Sequence, residues 1–384
     1  MMAEITIRSV RTHKDLKRFA RFNYELYRGC PYAVPDLLED TMDTFDVEKN
    51  PALRFCDAEL FLALRNGKVV GRVAAIINHR ANETWHTKQV RFGWIDFIDD
   101  LEVARLLTDT VAQWGRERGM THMVGPLGFT DLDPEGMLTE GFDQLGTVYS
   151  IYNYSYYPRH MQTLGFRKEQ GWVERKVFVP KDGHEANNQK YFRIARMVEQ
   201  RYGFRVRHFR SKKEILEGGY IEKIFDVVNR SYAKLYEYSA LDELQMKAYA
   251  KKFLTILDKR YLSVVENAEG EVIGMGVCVT SLSRAVKRAG GRLFPFGWIH
   301  IAKALWLNRH PQILDMLLVG VLPEYQEKGA NALFFANVIP EATKDGYEWA
   351  ESHPQLEDNI ASQAQWKYLD CEIHKRRAAF GKEI

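Results

Sequence analysis

The stretch ILDMLLVGVLPEYQEKGANALFFANVIPEATKDGYEWAESHPQLEDN, residues 313–359, decides the fold. Its apolar start, 313–321, predicts a buried strand, and Pro323 marks a turn after it. The loop 326–330 then leads into a helix with small residues in its first turn. Free N–H groups and the dipole at a helix start attract anions, so this strand, loop and helix predict a candidate phosphate site.

Two residues of this loop favour the binding of an anion, although an ordinary turn explains the same sequence equally well. Gly329 lets a ligand approach the backbone closely, and Lys328 adds a positive charge. A plain strand-to-helix connection has the same composition, so spacing alone leaves both interpretations open.

At these residues the sequence resembles the GNAT superfamily of acyl-CoA-dependent N-acyltransferases. The pyrophosphate loop of that family reads Gln or Arg, two residues, Gly, one residue, then Gly or Ala, and Asn331 departs from it. The segment Glu357–Asn359 is similar to the acidic residue and Asn that open the family's last helix. The resemblance implies acyl-CoA or acetyl-CoA as co-substrate and a binding site formed by Leu318, Val319, Val321, Gln326, Lys328, Gly329, Ala330, Asn331 and Asn359.

Acylation of an amine needs a base for the ammonium proton and an acid for the departing thiolate. Asp315, eleven residues before Gln326, is the first candidate for the base, and Glu351 is the second. His353 is a candidate proton relay beside Glu351. Trp366 stands where the family has its tyrosine acid, so Tyr368, two residues later, is the candidate acid and water is the alternative.

The order of predicted elements occurs twice along the chain. Each half contains helices, a β-hairpin, a further strand, a loop and another helix, and Pro180–Gly183 is the best linker. We therefore predict an α+β protein of two GNAT-like modules, each a mixed central sheet flanked by helices. The predicted modules are 1–179, which is degenerate, and 180–384, which binds the acyl-CoA.

The first module lacks a glycine loop. Asp99 and Asp100 stand at the equivalent position and would repel a pyrophosphate, so we expect no CoA there. The run 125–143 and the tyrosines of 149–157 form either a wall of the acceptor site or a packing seam. The acidic residues of 131–140 lack the spacing of a calcium loop, and no metal is expected.

A basic and aromatic insertion, 284–309, precedes the central strand of the second module. No acidic residue occurs from Val272 to Leu314. An apolar face over Trp298–Leu307 indicates peripheral contact with an anionic membrane, and a cover helix with a buried aromatic face is the alternative. Nucleic acid is not an expected partner, because no reading module accompanies the patch.

Composition restricts the compartment and the class of protein. The chain has 384 residues, a net charge of +3 and four widely spaced cysteines. It shows no secretory signal at its start and no apolar run long enough to span a bilayer. We therefore expect a cytoplasmic protein, with peripheral attachment to the inner face of the membrane as an open alternative.

The expected function is transfer of an acyl group from a thioester to a primary amine of a small molecule or lipid. Over nearly its whole length the chain resembles bacterial two-module GNAT-like proteins, some of them proposed as bacterial ceramide synthases, which implies a long-chain acyl group and a lipid or sphingoid amine. Two alternatives stay open, a Fem-like transferase that uses aminoacyl-tRNA and a non-catalytic ligand-binding protein.

Overall fold

The computed structural model describes residues 4–181, 188–307 and 312–384. The chain divides into two compact units. Unit 1 comprises Met1–Trp172, Leu282–Ala302 and Lys375–Ile384, and unit 2 comprises Val173–Ser281 and Lys303–His374.

Both units contain strands and helices. Up to residue 178 they are β1 (Ile5–Ser9), α1 (His13–Leu26), α2 (Leu38–Thr44), β2 (Cys56–Arg65), β3 (Lys68–Asn78), α3 (His79–Trp85), β4 (Gln89–Phe97), α4 (Leu101–Arg116), β5 (His122–Gly125), β6 (Met137–Glu140), α5 (Tyr156–Thr163) and β7 (Arg167–Phe178). The later elements are α6 (Asn188–Tyr202), β8 (Arg205–Arg207), α7 (Lys212–Glu217), α8 (Tyr220–Tyr232), α9 (Glu243–Ile256), β9 (Leu262–Glu266), β10 (Val272–Thr280), α10 (Ser283–Ala289), α11 (Trp298–Ala302), β11 (Ile313–Val321), α12 (Asn331–Asp345), β12 (Trp349–Ser352), β13 (Gln355–Leu356), α13 (Ile360–Ala364) and β14 (Cys371–Glu383).

The sheet of unit 1 is mixed. Its strands follow the order β1-β2-β3-β4-β5-β14, antiparallel except for a parallel β4–β5 pair. The β2–β3 hairpin turns at Asn66 and Gly67, both with positive φ, as turn chemistry predicts. Helix α4 packs on β3 at Gly71, where a side chain would meet Leu107 and Val103. Glycine at that position therefore permits the close helix–sheet contact.

The C-terminal strand belongs to unit 1 from Lys375 onwards, although it comes last in the chain. Residues of β14 pair with β5, Phe380 lying opposite Gly125 and Glu383 opposite His122. The buried Arg377 donates hydrogen bonds to the carbonyl of Ile151 and to Ser150 Oγ. Unit 1 is thus assembled from three separate segments, whereas the predicted modules 1–179 and 180–384 were each continuous.

The sheet of unit 2 is also mixed. Its strands follow the order β7-β12-β11-β10-β9-β8, and β11–β12 is the parallel pair. Helix α12 lies against β10, because Gly276 leaves the space that the buried ring of Phe334 fills. Helix α8 comes equally close to β11 at Gly320, where a Cβ atom would be 2.6 Å from Ser231 Oγ. These contacts fix the two helices beside the central strand.

One predicted element differs from the structure. The predicted amphipathic helix Trp298–Leu307 is α-helical only to Ala302 and continues as a π-helical turn, Lys303–Leu307, so its residues do not share one apolar face at a regular period. Asp182 and Gly183 of the predicted linker, and Arg309 of the insertion, lie outside the described residues.

A histidine at the edge of β5 makes unit 1 sensitive to pH. His122 lies 2.6 Å from Glu169 and 2.9 Å from Glu383. The hydrogen bond to Glu169 is the main cause that raises the pKa of His122 above its ordinary value of 6.5. Because the folded pKa is the higher one, this stabilisation is complete below pH 6.5 and is lost as the pH rises through the raised value.

We predict that His122→Gln lowers the free energy of unfolding by about 0.5–1 kcal/mol at pH 6, a modest value because the pair is partly solvated. The deficit should shrink towards pH 9. Urea unfolding at several pH values measures it, with His13→Gln at an exposed position of unit 1 as the control. If the free energies of unfolding of wild type and His122→Gln differed by the same amount at every pH, the assignment would be contradicted.

Candidate active site

The loop after β11 forms a tight turn in unit 2. A short 3₁₀ turn, Pro323–Lys328, follows the strand, and Gln326 Nε2 donates to the carbonyl oxygen of Val321 at 3.0 Å. Gly329 has a φ of 78° and would place a Cβ atom 3.2 Å from Val198 of α6. The left-handed backbone therefore favours glycine there, and a Cβ atom would also be in tight contact with the neighbouring helix.

Backbone donors are available where this turn meets α12. The N–H groups of Gly329 and Ala330 donate to no acceptor among the described residues. Helix α12 has fifteen residues, so its dipole favours negative charge at this end. The Lys328 ammonium lies 4.5 Å from the centre of the Tyr325 ring, within the same turn. The turn thus has the donors and the positive charge that a phosphate group needs.

The parallel strands of unit 2 separate after a short pairing. Their register ends at Met316 opposite Ser352, and the N–H of His353 donates to the Met316 carbonyl at 3.0 Å. Beyond this point β11 continues to Val321 beside β10. Leu318, Val319 and Val321 lie on this continuation, which leads directly to the loop. The Tyr232 hydroxyl donates to the Val319 carbonyl at 3.0 Å and holds α8 there.

The two predicted carboxylates are neighbours. Asp315 and Glu351 are register partners on β11 and β12, so their side chains point to the same face of the sheet. They are only 2% and 5% exposed. Burial, followed by the charge of Asp315, raises the pKa of the Cys278 thiol. Asp315 is therefore inside unit 2 and not at a solvent-facing strand end.

The partner of Glu351 is a histidine that sequence reasoning missed. His374 Nε2 lies 2.6 Å from Glu351 Oε1, and both side chains are buried. His374 Nδ1 has no hydrogen-bond partner among the described residues. His353, which the sequence places beside Glu351, uses its backbone N–H in the strand pairing. No local motif marks His374, because it lies 23 residues from Glu351 at the start of β14.

The candidate acid Tyr368 lies outside the last helix. Helix α13 ends at Ala364, and Tyr368 is in the turn that follows it. Its ring is 3.6 Å from the Lys190 ammonium, and a hydrogen bond to Lys190 lowers the pKa of Tyr368. Trp366 is buried and donates to Gln355 at 2.7 Å, a packing role.

Asn359 has a structural role at the start of the last helix. Its side chain accepts a hydrogen bond from the N–H of Ser362 and caps α13. Within residues 4–181, 188–307 and 312–384 there is no group of three or more His, Cys, Asp or Glu side chains arranged to hold a metal ion.

Solved structures with the same fold include a tandem GNAT protein and a GCN5-related N-acetyltransferase. A tandem GNAT protein from the clavulanic acid biosynthesis pathway aligns with a TM-score of 0.54 at 13% identity, over 99% of this chain and 98% of that chain. A GCN5-related N-acetyltransferase from Sphaerobacter thermophilus gives a TM-score of 0.53 at 10% identity, over 99% and 95%. These likenesses confirm the predicted tandem GNAT-like α+β fold.

Two curated proteins are similar in sequence over most of their length. "Bacterial ceramide synthase" of Caulobacter vibrioides (strain NA1000 / CB15N) is 26% identical over 327 residues, which are 84% of this chain and 82% of that protein. "Protein YghO" of Escherichia coli (strain K12) is 25% identical over an alignment of 393 positions, which covers 98% of this chain and 95% of that protein. No protein-family model matches the chain. The predicted resemblance to GNAT-like proteins is confirmed.

No helix among the described residues is long and apolar enough to cross a membrane.

Proposed function

We propose that the protein is a GNAT-type N-acyltransferase that transfers an acyl group from acyl-CoA to a primary amine. This proposal rests on one observation, that two features occur together in unit 2. One is a glycine loop with free N–H donors, and the other is the separation of β11 from β12 beside two buried carboxylates. The fold and the distant relative named as a ceramide synthase support the same reaction class.

The residues of unit 2 fit the co-substrate. The N–H groups of Gly329 and Ala330 would hold the pyrophosphate, and Lys328 would neutralise part of its charge. The continuation of β11 through Leu318, Val319 and Val321 would provide backbone groups for the pantetheine arm. Acyl-CoA supplies the activated acyl group.

The buried pair of Glu351 and His374 suits proton removal from the acceptor. Glu351 accepts from His374 Nε2, which leaves the lone pair of His374 Nδ1 free to take a proton from the ammonium. The amine nitrogen then attacks the thioester carbonyl, the C–S bond breaks, the nitrogen loses its second proton to give the amide, and the thiolate takes up a proton. Asp315 beside Glu351 is the alternative base, and Tyr368, with its lowered pKa, is the proposed acid.

We predict that Gly329→Glu abolishes saturable binding of acyl-CoA, because a carboxylate would enter the proposed phosphate site. Calorimetric titration of wild type and variant with acetyl-CoA, palmitoyl-CoA and free CoA measures this. A loss of at least a hundredfold in affinity is expected, about 2.7 kcal/mol.

The matched control for that experiment is Gly119→Glu. Gly119 has nearly the same backbone φ, 79°, and open space around its Cα. It therefore reproduces the backbone strain and the added charge at a site away from the loop, without the contact that a side chain at position 329 makes with Val198. Unchanged binding by Gly329→Glu would refute the phosphate assignment, and no binding by wild type would favour the use of aminoacyl-tRNA or a non-catalytic protein.

We predict that His374→Gln lowers kcat about 10²–10⁴-fold, the range for loss of a general base. Glutamine keeps an N–H donor for Glu351 but provides no basic nitrogen. His208→Gln, at an exposed position of unit 2, is the control and should stay within about twofold of wild type. Full activity of His374→Gln with a large loss in Asp315→Asn would assign the base to Asp315 instead.

The acceptor is proposed to be a lipid amine at an anionic membrane surface, and the acyl group a long chain. Three aromatic side chains of unit 1, Phe294, Phe296 and Trp298, are 73%, 71% and 50% exposed. Arg288 and Arg292 are exposed or half-buried in the same segment, which contains no acidic residue. Exposed aromatic rings next to basic side chains complement an anionic lipid surface.

Hydrogen bonds attach this segment to the rest of unit 1. Lys287 Nζ donates to the carbonyl oxygens of Cys30 and Ala33 at 2.8 and 3.1 Å. The N–H of Leu38 donates to the Gly291 carbonyl at 2.9 Å. The aromatic side chains are therefore presented by an anchored backbone, which reduces the entropy lost on docking.

We predict that Phe294→Ser combined with Phe296→Ser lowers binding to phosphatidylglycerol vesicles at least tenfold, as measured by co-sedimentation at low salt. Val47→Ser, at a position 70% exposed elsewhere in unit 1, is the control. Equal binding of all variants, or equal binding to neutral phosphatidylcholine vesicles, would refute the docking surface.

A further inference from the structure

Unit 1 contains a polar cavity that the proposed reaction does not use. Its volume is about 60 Å³, room for roughly four water-sized groups. Charged and polar side chains line one part of it, and aromatic and aliphatic side chains, among them Trp94 and Ile151, line the rest. A cavity of this size accepts a head group of a few heavy atoms.

A buried ion pair forms the charged part. Arg72 is 2% exposed, and its guanidinium lies 2.6 Å from Asp96 and 3.4 Å from Asp36. The hydroxyl of Tyr27 donates to Asp96 at 2.8 Å. Burial raises the pKa of Asp96 and that of Tyr27. With two carboxylates against one guanidinium, the group carries an excess negative charge when both carboxylates are ionised.

One acceptor on a residue that lines the cavity is left without a donor. Asn23 is 5% exposed, and its Nδ2 donates to Asp36 at 2.8 Å. Its Oδ1 is buried and accepts no hydrogen bond from any described residue. A buried polar atom without a partner is costly, so a donor from outside the chain would be favoured at this position.

The backbone beside the cavity is strained. Trp94 has a φ of 45°, in the left-handed region that bulky side chains rarely adopt, inside strand β4. The register of β3 with β4 shifts at the same place, between Arg72 and Ala74. Such bulges redirect side chains, and strain of this kind is concentrated at binding and catalytic sites. A purely structural ion pair requires neither the bulge nor the orphan acceptor.

We propose that this cavity is a binding site for a small primary ammonium group. The ammonium would donate hydrogen bonds to Asn23 Oδ1 and to Asp36, whose side chain is 43% exposed and therefore accessible. The ion would balance the excess negative charge, and the ring of Trp94 would face the cation or its short carbon chain. This site is independent of the proposed acyl transfer in unit 2.

Calorimetric titration of the full chain with n-butylammonium tests the proposal without any thioester. Saturable binding is expected, with n-butanol and butyrate binding at least tenfold more weakly. Asp36→Asn should weaken n-butylammonium binding at least tenfold, and Asp43→Asn, on the exposed side of the same region, should leave it unchanged.

A second variant separates loss of charge from loss of folding. Val34→Phe would fill the cavity and keep every charged group, so it too should abolish binding, while its far-ultraviolet circular dichroism stays that of wild type. Absence of saturable binding to wild type, or equal affinity for n-butylammonium and n-butanol, would overturn the proposal. So would unchanged affinity in both Asp36→Asn and Val34→Phe.

Discussion

The early end of the parallel pairing between β11 and β12 is the constraint on which the candidate site depends. Four residue pairs hold the strands together, and after Met316 and Ser352 they separate. The last paired positions therefore place Asp315 and Glu351 next to each other, and the continuation of β11 carries the backbone on to the glycine turn. One geometric feature produces both a buried carboxylate pair and a strand that leads to an anion-binding helix start.

Close packing keeps that geometry in place. Gly276 admits the ring of Phe334 from α12, and Gly320 admits Ser231 from α8. A methyl group at Gly276 would be 1.9 Å from Phe334, far inside van der Waals contact, so α12 and its N-terminal turn would have to move. The position of the backbone donors in the turn thus depends on small residues in the sheet, some distance from the loop itself.

Local sequence patterns predicted much of the structure around the candidate site. The features that they missed depend mainly on pairing between residues that are distant in the sequence. The apolar run 313–321 has the observed strand bounds, because a buried strand is marked by its own composition. His374 carried no signal, since its partner Glu351 comes from another strand, and the return of β14 to unit 1 is likewise a non-local pairing. The break at Lys303 was missed because an apolar α-helical pattern and a π-helical turn have nearly the same composition.

In both units a strand leads into a helix, but the charge at the start of that helix differs between the units. In unit 1 the strand β4 leads directly into α4, and the carboxylate of Asp100 accepts from the N–H of Glu102 while it pairs with Arg65 at 2.5 Å. A carboxylate of the chain itself thus occupies the helix start, the place where an external phosphate would bind. In unit 2 the corresponding turn has Gly329 with free donors. An anionic co-substrate therefore favours unit 2, whereas the excess of carboxylates around Arg72 makes the cavity of unit 1 suited to a cation.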